Sequence, residues 1–399
     1  MKKIVYLFSG QGSQYVGMGK DLFNRYKIMD ETFKEASDIL KFDLKKMCLE
    51  GNNEDLLQTQ NSQPVLLTFG VGAFRCIMEE YEQVPFCLAG HSLGEITALT
   101  CSEAVSFEDA IKIVRKRGEL MQDAGKRSGK MIALLDTNKE YIEGLCQKVQ
   151  QENIESILGI SNYNSVSQFV LSGNEASIEK AEKILDHDGI RFIPLKVSGA
   201  FHSPLMKDAA NSFYDYLQNV NFSALKYPVL SNVTAELYGE STLIRDTLAR
   251  QITMPVLWDK IMEYFIKENV DCAIEFGPGH TLKNLMQKNV PQINAFAYEE
   301  KKDYDAYQEY EAQSRRSMIE KCIAGVVCSR NTNWNNEELQ KGVIEPYKKI
   351  EKMLQEIILQ NRCPKVFEVK QAYNMLYTAL NVKGVHESEI KEIMSDIGI

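Results

Sequence analysis

The chain has 399 residues, 44% of them hydrophobic and 25% charged, with 46 Lys+Arg against 55 Asp+Glu for a formal net charge of −9. These fractions exclude a mostly disordered or fibrous chain, and the acidic balance argues against a general nucleic-acid binder. At about 150 residues per domain, the length corresponds to two or three domains.

The chain opens on Met1-Lys2-Lys3 and an apolar, β-forming run over 4–8. That run is too short for a signal peptide, and no stretch of ~18 apolar residues predicts a membrane span. The first strand ends in a polar glycine loop, Ser9-Gly10-Gln11-Gly12-Ser13-Gln14. Helical patterns begin near Asp21 and again over 63–78. A buried strand is expected over 86–89, closed by Gly90, and helical spacing resumes at Leu93, Ile96, Thr97 and Thr100. Strands alternating with helices predict a parallel sheet covered on both faces.

Residues 129–196 have another rhythm. Strands are expected over 130–135, 156–162, 169–171 and 191–195, and helices over 138–151 and 175–185, with a turn near Asn164-Ser165. The order βαββαβ is ferredoxin-like and reads as a subdomain inserted into the larger one. The α/β pattern then returns, ending in a strand over 272–276 and the loop Gly277-Pro278-Gly279. The charged stretch 299–305 reads as a linker. Beyond it, Val343, Tyr347, Ile350, Leu354 and Ile357, and later Val369, Tyr373, Leu376 and Leu380, recur at helical spacing. The expectation is an α/β fold: a hydrolase-like core from 1–127 and 197–295, a ferredoxin-like subdomain over 128–196, and a helical extension over 300–399.

The nine cysteines are odd in number, irregularly spaced and lack a CxxC pair. That usage fits a cytoplasmic chain with reduced thiols and no zinc site.

The sharpest motif is Gly90-His91-Ser92-Leu93-Gly94, a G-x-S-x-G nucleophile elbow between a predicted strand and a predicted helix. Its glycines suit a strained turn with a helix packed close behind. A serine at its free pKa needs a base. Among five histidines, His202 follows the last strand of the inserted subdomain, where the chain returns to the larger one, and is the leading candidate. His91 reads as a packing residue beside the nucleophile, His280 as a loop residue, and His187 and His386 as solvent-facing. An attacked acyl carbonyl needs prearranged N–H donors; Leu93 would supply one and the Gly10-Gln11-Gly12 loop another. By composition that loop could equally be a weak phosphate cradle. Arg117, in the cationic run 112–117 before Gly118, could clasp a carboxylate with two hydrogen bonds, although such a run is usually a solvated helix face.

With these residues in view, the chain resembles the malonyl-CoA:acyl carrier protein transacylases. The matching motifs, in order over 1–290, are Gly10-Gln11-Gly12-Ser13-Gln14, Gln63-Pro64, Gly90-His91-Ser92-Leu93-Gly94-Glu95, Arg117-Gly118, Asn162-Tyr163-Asn164-Ser165, Ala200-Phe201-His202, Arg250-Gln251 and Glu275-Phe276-Gly277-Pro278-Gly279. The resemblance implies a malonyl-serine intermediate on Ser92, with His202 as base and Gln251 orienting it where many hydrolases use Asp. It implies an oxyanion hole from Gln11 and Leu93, and a substrate pocket with Arg117, Phe201, Met121 and Asn162. Phe201 would exclude branched acyl groups by clash. Malonyl-CoA would be the donor and the phosphopantetheine thiol of an acyl carrier protein the acceptor, with no metal or bound cofactor, nucleic acid or membrane involved.

Two departures stand out. Val166 occupies a turn position that is often Pro, and the extension beyond 300 exceeds the housekeeping enzyme of fatty acid synthesis. Val327-Cys328-Ser329-Arg330-Asn331 and the stretch 342–347 resemble the tails of freestanding acyltransferases that serve polyketide synthase modules. A helical packing domain without a partner role is the plainer reading. Because carrier proteins are typically acidic, docking would need a local basic patch, for which Lys112, Arg115, Lys116, Lys126, Arg127 and Lys130 are candidates. A serine thioesterase or esterase and an inactive scaffold are the competing classes.

Overall fold

The computed structural model describes residues 2–81, 83–126 and 129–397. Its strands are β1 (Ile4–Phe8), β2 (Cys87–Gly90), β3 (Lys130–Leu135), β4 (Leu158–Ser165), β5 (Gln168–Gly173), β6 (Phe192–Pro194), β7 (Cys272–Phe276) and β8 (Asn294–Ala297). They form two sheets, β2-β1-β7-β8 and β4-β5-β3-β6.

Every neighbouring pair in the first sheet is parallel. All five residues of β1 are buried, so it reads as an unbroken apolar run rather than an alternating one. The pleat still sorts them. Val5 and Leu7 join a cluster with Trp258, Ile261 and Phe265. Tyr6 and Phe8 meet Phe74 and Phe276, with ring centroids 4.9–6.3 Å apart. Each fully buried ring stabilises the fold by roughly 1.5–3 kcal/mol. The buried sheet thus gives a rigid platform whose strand ends carry the loops of the site.

The second sheet is antiparallel, with the order expected of a ferredoxin-like unit. Helices Lys139–Glu152 and Glu175–His187 pack Ile142, Leu145, Val149, Ile178, Ala181 and Leu185 against Ile132, Leu134 and Leu171. Asn138 and Asn174 cap these helices by accepting from Tyr141 N and Ser177 N. The turn falls at Val166-Ser167 rather than at Asn164-Ser165, because β4 runs on to Ser165. The Val166 N–H donates to Asn289 Oδ1 at 3.2 Å, a bond that proline could not make.

Residues 301 onward belong to a second compact unit. Helices Lys301–Cys328, Glu345–Leu359, Val366–Val382 and Glu387–Ile397 surround their own core of Ile319, Cys322, Ile350, Ile357, Leu376 and Leu380. The charged segment expected to be a linker instead begins the 28-residue first helix. Its lysines are good helix formers, and Tyr304 within it and Tyr307 just beyond, three apart, are buried from the helix. Among the described residues no helix is long and apolar enough to cross a membrane.

Candidate active site

Strand β2 ends at Gly90, and helix Leu93–Cys101 begins three residues later. Ser92 between them has φ 51° and ψ −104°, a strained conformation for a residue with a side chain. A Cβ on Gly90 would lie 1.9 Å from Gly94 O, and one on Gly94 would lie 2.0 Å from Phe8 O. Only glycine lets strand and helix approach this closely. Asn232 clasps the turn: its Oδ1 accepts from Ser92 N at 2.6 Å and its Nδ2 donates to Gly90 O at 2.7 Å.

Ser92 Oγ lies 2.8 Å from His202 Nε2. His202 Nδ1 lies 2.7 Å from the backbone carbonyl of Gln251. A carbonyl can only accept, so Nδ1 carries the proton and Nε2 is left free to take one from the serine. Burial, and then the charge of Arg117, push the His202 pKa down to about 3, which keeps the ring neutral. His202 itself sits at φ 54°, so nucleophile and base both occupy the left-handed region.

Arg117 lies inside helix Phe107–Gly125 and is 1% exposed. Its Nη1 donates to Gln63 Oε1 at 3.0 Å; its Nη2 donates to Gln251 Oε1 at 2.9 Å and to Ser92 Oγ at 3.1 Å. Nε finds no acceptor among the described residues. Burial lowers its pKa to about 10, so it is still a cation at neutral pH. The helix is close-packed here, since a Cβ on neighbouring Gly118 would lie 2.7 Å from Gln60 Cα.

A cavity of about 270 Å³ opens on this group, lined by Gln11, Ser92, Arg117, Met121, Asn162, Phe201 and His202 together with β3 and β5 side chains. Residues chosen from three distant stretches of sequence thus meet in one cleft. Leu93 and Gln251 lie just behind its wall. The Leu93 N–H, first in its helix, has no intrahelical acceptor. The Gly10 loop crosses the elbow so closely that a Cβ on Gly10 would sit 2.5 Å from His91 O. His91 Nε2 pairs with Asn164 Oδ1 at 2.9 Å, and its ring packs on Trp258. His280 lies 3.4 Å from Glu300, His187 pairs with Asp188, and His386 with Ser388, all outside the cleft.

The arrangement offers an activated alcohol, a neutral base and a buried cation 3.1 Å from the nucleophile. That set can transfer an acyl group carrying a negative charge. Asn232 and Tyr238 were not singled out from the sequence, and Gln63 and Glu95 stood there only as motif residues without a role. Glu95 had a signal, a carboxylate amid the apolar helix directly after the elbow; Asn232 and Tyr238 had none. Four of the six candidates for a basic patch are held in ion pairs. Lys112 pairs with Glu108, Arg115 with Glu119, Lys126 with Asp123, and Lys130 with Glu175 and Glu179. Helical i, i+3 and i, i+4 spacing and a facing helix supply these acids. Arg127 lies outside the described residues.

The acyl transferase domain family matches residues 5–308. The chain is 34% identical over 340 residues to the malonyl CoA-acyl carrier protein transacylase of Bacillus subtilis, covering 84% of each. It is 38% identical over 287 residues to a polyketide biosynthesis malonyl CoA-acyl carrier protein transacylase of Bacillus velezensis, covering 71% of this chain and 96% of that one. A solved malonyl-transacylase, in complex with a type II polyketide synthase acyl-carrier protein, superposes with a TM-score of 0.74 at 34% identity, covering 77% of this chain and 99% of that one.

Proposed function

The chain belongs to the acyl transferase family, and from that membership we propose that it moves malonyl groups from malonyl-CoA to the phosphopantetheine thiol of an acyl carrier protein. The observation that carries the reading is the Arg117 guanidinium, buried and 3.1 Å from Ser92 Oγ. A buried cation beside the nucleophile favours an acyl group that ends in a carboxylate, and a hydrolase of neutral esters has no use for one.

His202 Nε2 takes the Ser92 proton as Oγ attacks the thioester carbonyl. The N–H groups of Gln11 and Leu93 hold the oxyanion, while Arg117 exchanges its contact with Ser92 for the malonyl carboxylate. Collapse expels the CoA thiolate, which takes the proton back from His202 and leaves malonyl-Ser92. The carrier thiol then attacks this ester by the same route in reverse, and Ser92 is regenerated. Met121, Phe201 and Asn162 bound the acyl pocket, and the Phe201 ring disfavours a C2 branch by clash. The chemistry calls for no metal or redox cofactor. Reduced thiols suit the cytoplasm as its setting.

Within this activity, the extension points to a freestanding enzyme serving polyketide synthase modules. It forms a unit with its own core, and the stretches 327–331 and 342–347 resemble the tails of such enzymes. The housekeeping role in fatty acid synthesis is the alternative. Incubation with malonyl-CoA and carrier proteins of each type, followed by intact mass, tests both. Malonyl-Ser92 and a malonylated carrier are expected. Free malonate without malonyl-carrier would make the protein a hydrolase, and a malonyl adduct on Ser92→Ala would remove Ser92 from its role.

A further inference from the structure

The site contains a charged group that the transfer chemistry does not use. Glu95, three residues after the nucleophile, is fully buried in the elbow helix. Its Oε2 accepts from Gln251 Nε2 at 2.6 Å and from Asn232 N at 3.0 Å, and its Oε1 accepts from the Tyr238 hydroxyl. We propose that Glu95 is a positioning residue that sets acyl selectivity: it locks the Gln251 amide in the one orientation that keeps Arg117 aimed at the acyl pocket. The inference rests on the malonyl reading above.

The argument is one of donors and acceptors. An ionised carboxylate only accepts, so Gln251 must turn its NH2 toward Glu95. The same NH2 also donates to Ser92 O at 3.0 Å. Gln251 Oε1 is then the atom left facing Arg117, whose Nη2 donates to it at 2.9 Å. Reversing the amide would set NH2 against the guanidinium and oxygen against both the carboxylate and Ser92 O, three repulsive contacts in a buried site. The other hydrogen bonds of Arg117 among the described residues go to neutral groups, Gln63 and Ser92, and the negative charge of Glu95 acts to keep it protonated. Burial pushes the Glu95 carboxyl up, while Tyr238, Asn232, Gln251 and Arg117 oppose that rise. Gln251 also holds the His202 ring, but through its backbone carbonyl, which the side-chain orientation does not move. Glu95 should therefore act chiefly through Arg117, while His202 keeps its backbone acceptor whichever way the amide faces.

Glu95→Gln keeps the shape, removes the charge and adds an NH2 that lets Gln251 reverse. The readouts are kcat/KM for acylation of Ser92 by malonyl-CoA and for turnover of 4-nitrophenyl acetate, a neutral ester that makes no use of Arg117. Malonyl acylation should fall about tenfold to a hundredfold, mostly through KM, with the acetate ester within about twofold of wild type. Tyr238→Phe removes only the donor to Oε1 and decides the matter if Glu95→Gln does not fold; a loss of about threefold or more confined to malonyl-CoA is expected. Equal losses on both substrates, or unchanged malonyl kinetics, would overturn the inference. A wild type that is not malonylated on Ser92 would instead reject the transfer reading itself, and this inference with it.

Discussion

Arg117 Nη2 lies 3.1 Å from Ser92 Oγ, so the group that would read the acyl chain touches the group that would attack it. Before a substrate enters, the hydroxyl partly satisfies the guanidinium. A bound carboxylate would take over that contact and release the serine oxygen for attack.

Arg117→Ala should therefore cost malonyl transfer about a hundredfold, because a carboxylate would be left unpaired in a partly desolvated cleft. Acetyl transfer should change far less. Steady-state kinetics with the two CoA thioesters measure the ratio, and parallel losses would make the arginine a scaffold residue only.

The pH dependence follows from His202. Burial and Arg117 hold its pKa at about 3, below the ordinary 6.5, so the native ring stays a neutral base through pH 5. The acid limb of kcat/KM for acylation should lie well below 6. Pairing of the malonyl carboxylate with Arg117 cancels one of the two main causes of that depression, so the limb of kcat should lie at higher pH than that of kcat/KM. Stability carries the matching sign. The His202 contribution is present above 6.5 and is lost as pH falls toward 3, since the unfolded chain binds the proton first. Coincident limbs near 6.5 in both profiles would contradict this account.

Gly94→Ala should break the elbow. Its Cβ would be built 2.0 Å from Phe8 O, a backbone atom of the central strand that cannot swing away. A loss of roughly 2 kcal/mol or more is expected, with acylation lost alongside. Thermal melting and malonyl-enzyme formation check the two effects, and a variant with wild-type values in both would contradict the elbow geometry.

The extension offers a test away from the chemistry. Lys383 is 7% exposed, and its Nζ donates to Val326 O at 2.7 Å, Ser329 O at 2.5 Å and Ser329 Oγ at 2.9 Å. It thereby satisfies carbonyls at the end of helix Lys301–Cys328. Lys383→Met should destabilise this unit by about 2 kcal/mol and leave malonyl acylation unchanged. Calorimetry should show an early transition belonging to the extension. A single unshifted transition would mean the lysine does not hold the helix end.

The sequence by itself determined the parts that are local. The glycines around Ser92 are demanded by a turn within five residues. The run over 4–8 and the alternation after residue 129 follow from pleat and periodicity, so the inserted sheet and three of the four strands of the parallel sheet were legible before any coordinates, but β8 was not. Arg117 was legible as a candidate, because its residue type suits a carboxylate. The rest depends on which strangers the chain brings together. Asn232 clasps a turn 140 residues away, and Glu95 meets Gln251 across 156. Lys112 and Arg115 pair with acids one helical turn away and Lys130 with an acid on a facing helix, and the stretch expected to be a linker becomes helix from Lys301 with Tyr304 buried from it. Strain and periodicity are written into neighbouring residues, whereas the pairing of buried charges and amides is fixed only when distant segments exclude water from one another.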